Sequence, residues 1–337
     1  MRNTAIIVLV VIGILGILSV TWLIKPANVS TAEKTDEKYW RDRIEEIGAD
    51  SAYEEFLAKY AGISIGEQHT QAHIFGNALY KAAGLPGITV CDRNFNFGCY
   101  HEFIGWAVQE HGLSVASSLN ENCLEKYESV ALGCQHGIGH GVLASLGYDY
   151  ENLAQALEVC GELRAQPEVG GCFGGAFMEY NLRTILGDES APRPLDATLG
   201  RHYPCSRVET QYKNACYYEQ PQWWQSLHFK DWGKKETRLP MFKHLGELCS
   251  QAKDLSYQIR CYRGIGTNAP PIVNSDLEEM KLVCQNMPNH TGEINCRAAA
   301  AGVFQEINQL YGKEWRMCED LSESDKTECI RIAQSPR

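Results

Sequence analysis

The sequence has no CxxC and no CxxCH, no P-loop, and no nucleophile elbow or dinucleotide fingerprint behind a strand. These absences remove the usual zinc-ribbon, thioredoxin-like and c-type haem readings. They also remove the common phosphate-cradling and acyl-transfer motifs. Basic charge is in deficit, with 31 Lys and Arg against 42 Asp and Glu and a net charge of −11. A nucleic-acid binder needs a basic stripe to displace phosphate counterions, so no nucleic-acid partner is expected. The first 90 residues hold no cysteine, and the remainder holds all 14.

Residues 5–24, AIIVLVVIGILGILSVTWLI, carry no charge. At about 1.5 Å per residue such a run spans roughly 30 Å, the hydrocarbon thickness of a bilayer. Lys25 and Pro26 follow directly, without a small-x-small cleavage site, which favours an uncleaved anchor over a secretory signal. Flanking charge leaves the orientation neutral. The cysteines decide it, because disulfides persist in oxidising compartments. The expected organisation is a cytoplasmic stretch at 1–4, a transmembrane anchor at 5–24 in contact with the lipid bilayer, a polar tether at 25–38, and an extracytoplasmic Cys-rich helical-repeat domain at 39–337.

The cysteines fall in seven sequential pairs: Cys91–Cys99, Cys123–Cys134, Cys160–Cys172, Cys205–Cys216, Cys249–Cys261, Cys284–Cys296 and Cys318–Cys329. The first pair encloses 7 residues and the others 10 or 11, and second cysteines recur every 33 to 45 residues. That period marks an array of supersecondary units. Helix-period apolar residues run into the first cysteine, as in DYENLAQALEVC, and small residues then an apolar run follow the second. Each unit therefore reads as helix, Cys, short loop, Cys, helix. The predicted fold is all-α, an array of disulfide-stapled helical hairpins forming either an open α-solenoid or one closed toward an α/α toroid. Gln71 to Leu85 aligns with Cys99 to Leu113 and supplies an earlier unit without cysteines. Arg183 to Pro204 and Glu219 to Met241 read as insertions, the second rich in aromatics.

Histidines carry the chemical signal. His69 and His73 are spaced i,i+4, as are His136 and His140. Ten histidines scattered at random would give roughly 0.3 such pairs. His101 and His136 each stand two places after the second cysteine of their unit, and His73 aligns with His101. Imidazoles at i,i+4 share a helix face and reach one metal ion. Glu67, Glu102 and Glu179 lie nearby in the pattern. The expected metal set is His69, His73, His101, His136, His140 and Glu179, with Glu179 or Glu102 as candidate base. Mixed imidazole and carboxylate donors suit Zn, Fe, Mn or Cu. Packing or capping by neutral imidazoles is the main competing reading, and an anion held at a helix start is a third. Later units carry Arg263, Gly174 and Ala298 at the His place, as a local site requires and a purely structural histidine does not.

The expected function is a membrane-anchored extracytoplasmic metalloprotein working by metal-activated water or oxygen. The alternative is a non-catalytic solenoid scaffold that binds another envelope or cell-surface protein through its concave face or through Trp223, Trp224, Phe229 and Trp232.

Overall fold

The computed structural model describes residues 31–128, 131–185, 200–228, 234–306 and 314–334. The expected span at 5–24 lies outside them, as do Phe229 and Trp232. No helix among the described residues is long and apolar enough to cross a membrane.

The described residues form helices and turns, without a strand. In chain order the helices are α1 (Thr31–Ile47), α2 (Ala49–Tyr60), α3 (Ile65–Ala83), α4 (Gly98–His111), α5 (Val115–Tyr127), α6 (Leu132–Leu146) and α7 (Tyr150–Glu162). They continue as α8 (Gly171–Ile185), α9 (Lys213–His228), α10 (Lys235–Ser250), α11 (Leu255–Ile272), α12 (Leu277–Gln285), α13 (His290–Glu306) and α14 (Glu323–Ala333). An inner row, α3, α4, α6, α8, α9, α11, α13 and α14, packs each member on the next, and α1 packs on α3 at its head. The outer elements α5, α7, α10 and α12 cover this row. Among the described residues no substantial packing joins α14 back to α1, so the row is open there.

Seven bridges join the sequentially neighbouring cysteines, and each links an outer element to an inner helix. Their sulfurs are buried within the core with the inner-helix apolar faces. Three outer elements differ from the expected helix. The first and last are 3-10 turns, Leu85–Val90 and Glu314–Met317, and the stretch before Cys205 is a run of turns. Pro86 lies in the first of these and Pro204 in the run of turns before Cys205, where a missing N–H and a fixed φ shorten regular helix. The Cys123–Cys134 bridge closes a separation of 11 residues. Replacing both cysteines by Ala is expected to lower unfolding free energy by about 3 kcal/mol in the loop-entropy model, read by denaturant titration. A loss below about 0.5 kcal/mol would show that the hairpin is held by packing alone.

Two sequence expectations need correction. Residues 31–38, read as an irregular tether, form the first turns of α1. The Glu219–Met241 stretch is largely helical, continuing α9 and opening α10. Its Trp223 and Trp224 are buried, and the Trp224 indole donates to the Arg201 carbonyl at 2.8 Å. These two rings are core, because α9 carries both of them, within the first part of the expected insertion, on its buried side. They do not form an exposed partner surface.

Local sequence explains where α3 begins, and α3 carries the first histidine pair. Ser64 and Glu67 form a reciprocal capping box. Glu67 is thereby committed to the helix start and is not a neighbour of His69 in a ligand sense. At the head of the row Trp40, Phe56 and Phe75 pack edge-to-face and tilted, with centroids 4.7 to 5.6 Å apart.

Candidate metal centre

The inner row brings the five register histidines and Glu179 onto one wall, from α3, α4, α6 and α8. All but His136 fall into two groups that share His101.

The inner group is His101, His140 and Glu179, all buried. His140 Nδ1 lies 2.8 Å from Glu179 Oε2, His101 Nε2 lies 3.1 Å from the same oxygen, and the two nitrogens are 3.4 Å apart. Donors bound at about 2.0–2.2 Å to a single ion stand about 2.9–3.5 Å apart over octahedral to tetrahedral angles. The triangle has metal-face dimensions. The second carboxylate oxygen accepts from the Tyr148 hydroxyl at 2.7 Å, which orients Glu179. His136 Nε2 meets His140 Nε2 at 3.1 Å, so His136 joins through His140. The Phe97 ring stacks on His140 at 4.6 Å and 17° and lies against His136.

The charge balance of this group is unusual. Burial works to raise the Glu179 carboxyl, but the His101 and His140 contacts outweigh it and hold the group well below the usual carboxylate range. Burial lowers His136 and His140, keeping them neutral. No Lys or Arg pairs with Glu179 among the described residues. A buried carboxylate whose partners are imidazoles suits a cation at their shared face.

The outer group is His69, His73 and His101. His69 Nδ1–H donates to the Phe95 carbonyl at 2.9 Å, which leaves its Nε2 as a lone pair. His73 turns Nδ1 toward Glu102 Oε2 at 3.5 Å. The two Nε2 atoms then face each other at 3.1 Å. A histidine that ligates through one nitrogen and donates from the other to a carbonyl or carboxylate is the usual metal-site arrangement. Burial pushes the His69 imidazole down to about 4, so it too is neutral. This group opens into a cleft of about 450 Å³ that Glu37, Asn77 and Glu102 also line. Burial works to raise Glu102, but contacts with His73, Trp106 and Lys81 outweigh it and lower the group.

Several residues of the site escaped the sequence reading. Glu37 sits in the expected tether, yet it accepts from Lys81 and Asn77 at the cleft wall. Phe95 and Phe97 lie inside the first disulfide loop with φ of 52° and 62°, uncommon for non-glycine residues. That loop's shortness, 7 residues against 10 or 11, was the one available signal. Tyr148 carried none. Glu219 lies beyond Gly174, where a Cβ would stand 3.3 Å from both Glu219 Oε1 and His136 Nδ1. The absent side chain at this His place is the space those two groups share.

Burial pushes the Glu219 carboxyl up to about 8 from its ordinary value near 4.5. A raised folded-state value gives stability that is full below about pH 4.5 and is lost as pH rises toward 8. Glu219→Gln is expected to remove this pH dependence and to be the more stable protein at pH 8, read by denaturation across that range. Identical pH profiles for the two proteins would mean Glu219 ionises normally.

Among the remaining histidines, His202 packs against Tyr217 and Trp224, and both its ring nitrogens are buried without a hydrogen-bond partner. It lies outside both groups. Compared with known proteins, the chain matches no family model, no curated protein and no solved structure.

Proposed function

We propose that this chain is an extracytoplasmic metalloenzyme whose principal ion is held by His101, His140 and Glu179, with a second position at His69, His73 and the shared His101. The observation that carries the reading is the 2.8, 3.1 and 3.4 Å triangle of donor atoms around a buried carboxylate that no Lys or Arg pairs with among the described residues. Two histidines and one carboxylate on a single face suit Fe(II) or Zn and leave the remaining coordination positions open. The ion supplies a Lewis acid or an activated water at those positions. The cleft beside the outer group admits substrate, and Glu102, on the cleft wall and hydrogen-bonded by Trp106, is the base.

The seven disulfides support an oxidising compartment. We place the chain as a single-pass membrane protein anchored through residues 5–24, with the N-terminus cytoplasmic. The scaffold alternative loses its aromatic surface at Trp223 and Trp224, which are buried. The test is metal analysis of the full chain purified without a His tag and reconstituted with Zn and, anaerobically, with Fe(II). About one to two equivalents are expected. Less than about a tenth of an equivalent of any transition metal would overturn the reading.

A further inference from the structure

The same inner row carries a second polar feature in its C-terminal half. Arg263 stands two places after Cys261, the place His101 and His136 hold in their units. Arg260, Arg263 and Thr267 fall on one face of α11 at i, i+3 and i+7 and line a small cavity. Tyr218 of α9, Ala298 of α13 and Ile332 of α14 also line it, with Val169 from the turn before α8. The Tyr218 hydroxyl and Thr267 Oγ1 meet at 2.7 Å.

The two guanidiniums differ in their partners. Arg260 pairs with Glu168 at 2.8 Å. Arg263 is half-buried, and its Nε donates to the neutral Asn295 Oδ1 at 2.9 Å. No carboxylate pairs with it among the described residues. Glu328, the acidic group in its field, is held by Arg331 through two bonds of 2.6 and 2.7 Å. Burial, with Arg260 beside it, lowers Arg263, the direction expected of a cation short of counter-charge. A partly buried guanidinium normally faces an anion, and its remaining N–H groups form a planar fork suited to carboxylate or phosphate oxygens.

We infer that this cavity binds a small oxyanion group, held by Arg263 and Arg260, with one further donor from the Thr267–Tyr218 hydroxyl pair, whose other proton is spent on the bond between them. Its volume of about 30 Å³ takes one such group or two waters, and excludes a nucleotide or a sugar ring. The cavity adjoins the metal wall. Tyr218 precedes Glu219, which shares the Gly174 space with His136, and Val169 stands two residues before Gly171, whose backbone bonds His136. A ligand with an anionic end is thereby held on the same row as the histidines. The inference stands apart from the proposed metal chemistry, because the Arg cavity contains none of the donor atoms.

The experiment is calorimetric titration of the full chain, disulfides intact and in detergent at low ionic strength, with inorganic phosphate and separately with acetate. At least one anion should bind saturably, and which one tells a tetrahedral oxyanion from a carboxylate. Arg263→Gln should weaken it by about tenfold or more, the usual worth of one charge-assisted contact. Arg263→Lys, which keeps the charge, should stay closer to wild type, and His140→Ala should bind as wild type does. Should Arg263→Gln fail to fold, Arg260→Gln replaces it with the same direction expected. Absence of saturable binding by either anion, unchanged binding in the Arg variants, or loss confined to His140→Ala would each overturn the inference, the last by placing the anion on the metal.

Discussion

Glu179→Gln is expected to weaken metal binding by at least about a hundredfold, a larger loss than removal of an outer-shell partner gives. The carboxylate is the one formal negative charge in the inner triangle, and both His101 and His140 are turned toward its Oε2. Glutamine keeps the shape and an oxygen acceptor but removes the charge that draws a dication into a buried site. Tyr148→Phe removes the hydrogen bond to Oε1 while leaving the donors in place, so a loss of roughly tenfold is expected. Competition against a buffered chelator, with elemental analysis, reads both. If Glu179 only accepts imidazole N–H bonds in a metal-free core, the two variants should alter stability and leave metal content unmoved, and that result would sink the assignment.

The pH dependence of the metal-free chain follows from the same groups. Burial lowers His69, His136 and His140 below their ordinary value near 6.5, so the unfolded state takes up protons before the fold does. Their contribution to stability is complete above about pH 6.5 and declines as pH falls, through about 4 for His69. Glu179, whose folded-state value is depressed, contributes above about pH 4.5 and loses that contribution only below it. Metal competes with the same protons, so its release on acidification should begin below pH 6.5.

How much of this was legible in the chain depends on what each feature requires. The seven bridges and the inner helices follow from spacing, because a short loop between cysteines admits little but a hairpin. His69, His73, His101, His136 and His140 were found by two local rules, the i,i+4 interval and the place after the second cysteine. Glu179 was reachable because it lies on the next inner helix. Phe97, Tyr148 and Glu37 were not, since each reaches the site from a turn or a neighbouring helix whose approach depends on the curvature of the row. The Trp223 and Trp224 reading failed for a related reason. The break in the cysteine period and the run of aromatics suggested an insertion, yet α9 and α10 carry much of that stretch as helix, Pro221 and Pro240 included. Glu67 was claimed by its own helix start.

Gly139→Ala is expected to cost about 3 kcal/mol, against a gain of up to about 1 kcal/mol from helix propensity alone. A Cβ at Gly139 would stand 2.0 Å from the Cys172 carbonyl oxygen and 2.7 Å from the Ala176 nitrogen, so backbone would have to move. At Gly175 on α8 the reverse contact holds, with a Cβ 1.9 Å from the His136 carbonyl oxygen. The two glycines let α6 and α8 approach backbone to backbone, which carries Glu179 to within 2.8 Å of His140. Gly175→Ala should therefore destabilise the fold and also lower metal affinity, by parting α8 from α6 where the donor atoms meet. Gly105 on α4 and Gly133 on α6 supply the control, since a Cβ at either meets nothing within 4 Å. Alanine there should be neutral or stabilising by a few tenths of a kcal/mol. Denaturant titration with the disulfides intact separates the two classes. Equal stability of Gly139→Ala and Gly105→Ala would show that the close approach of α6 and α8 holds neither the core nor the metal wall together.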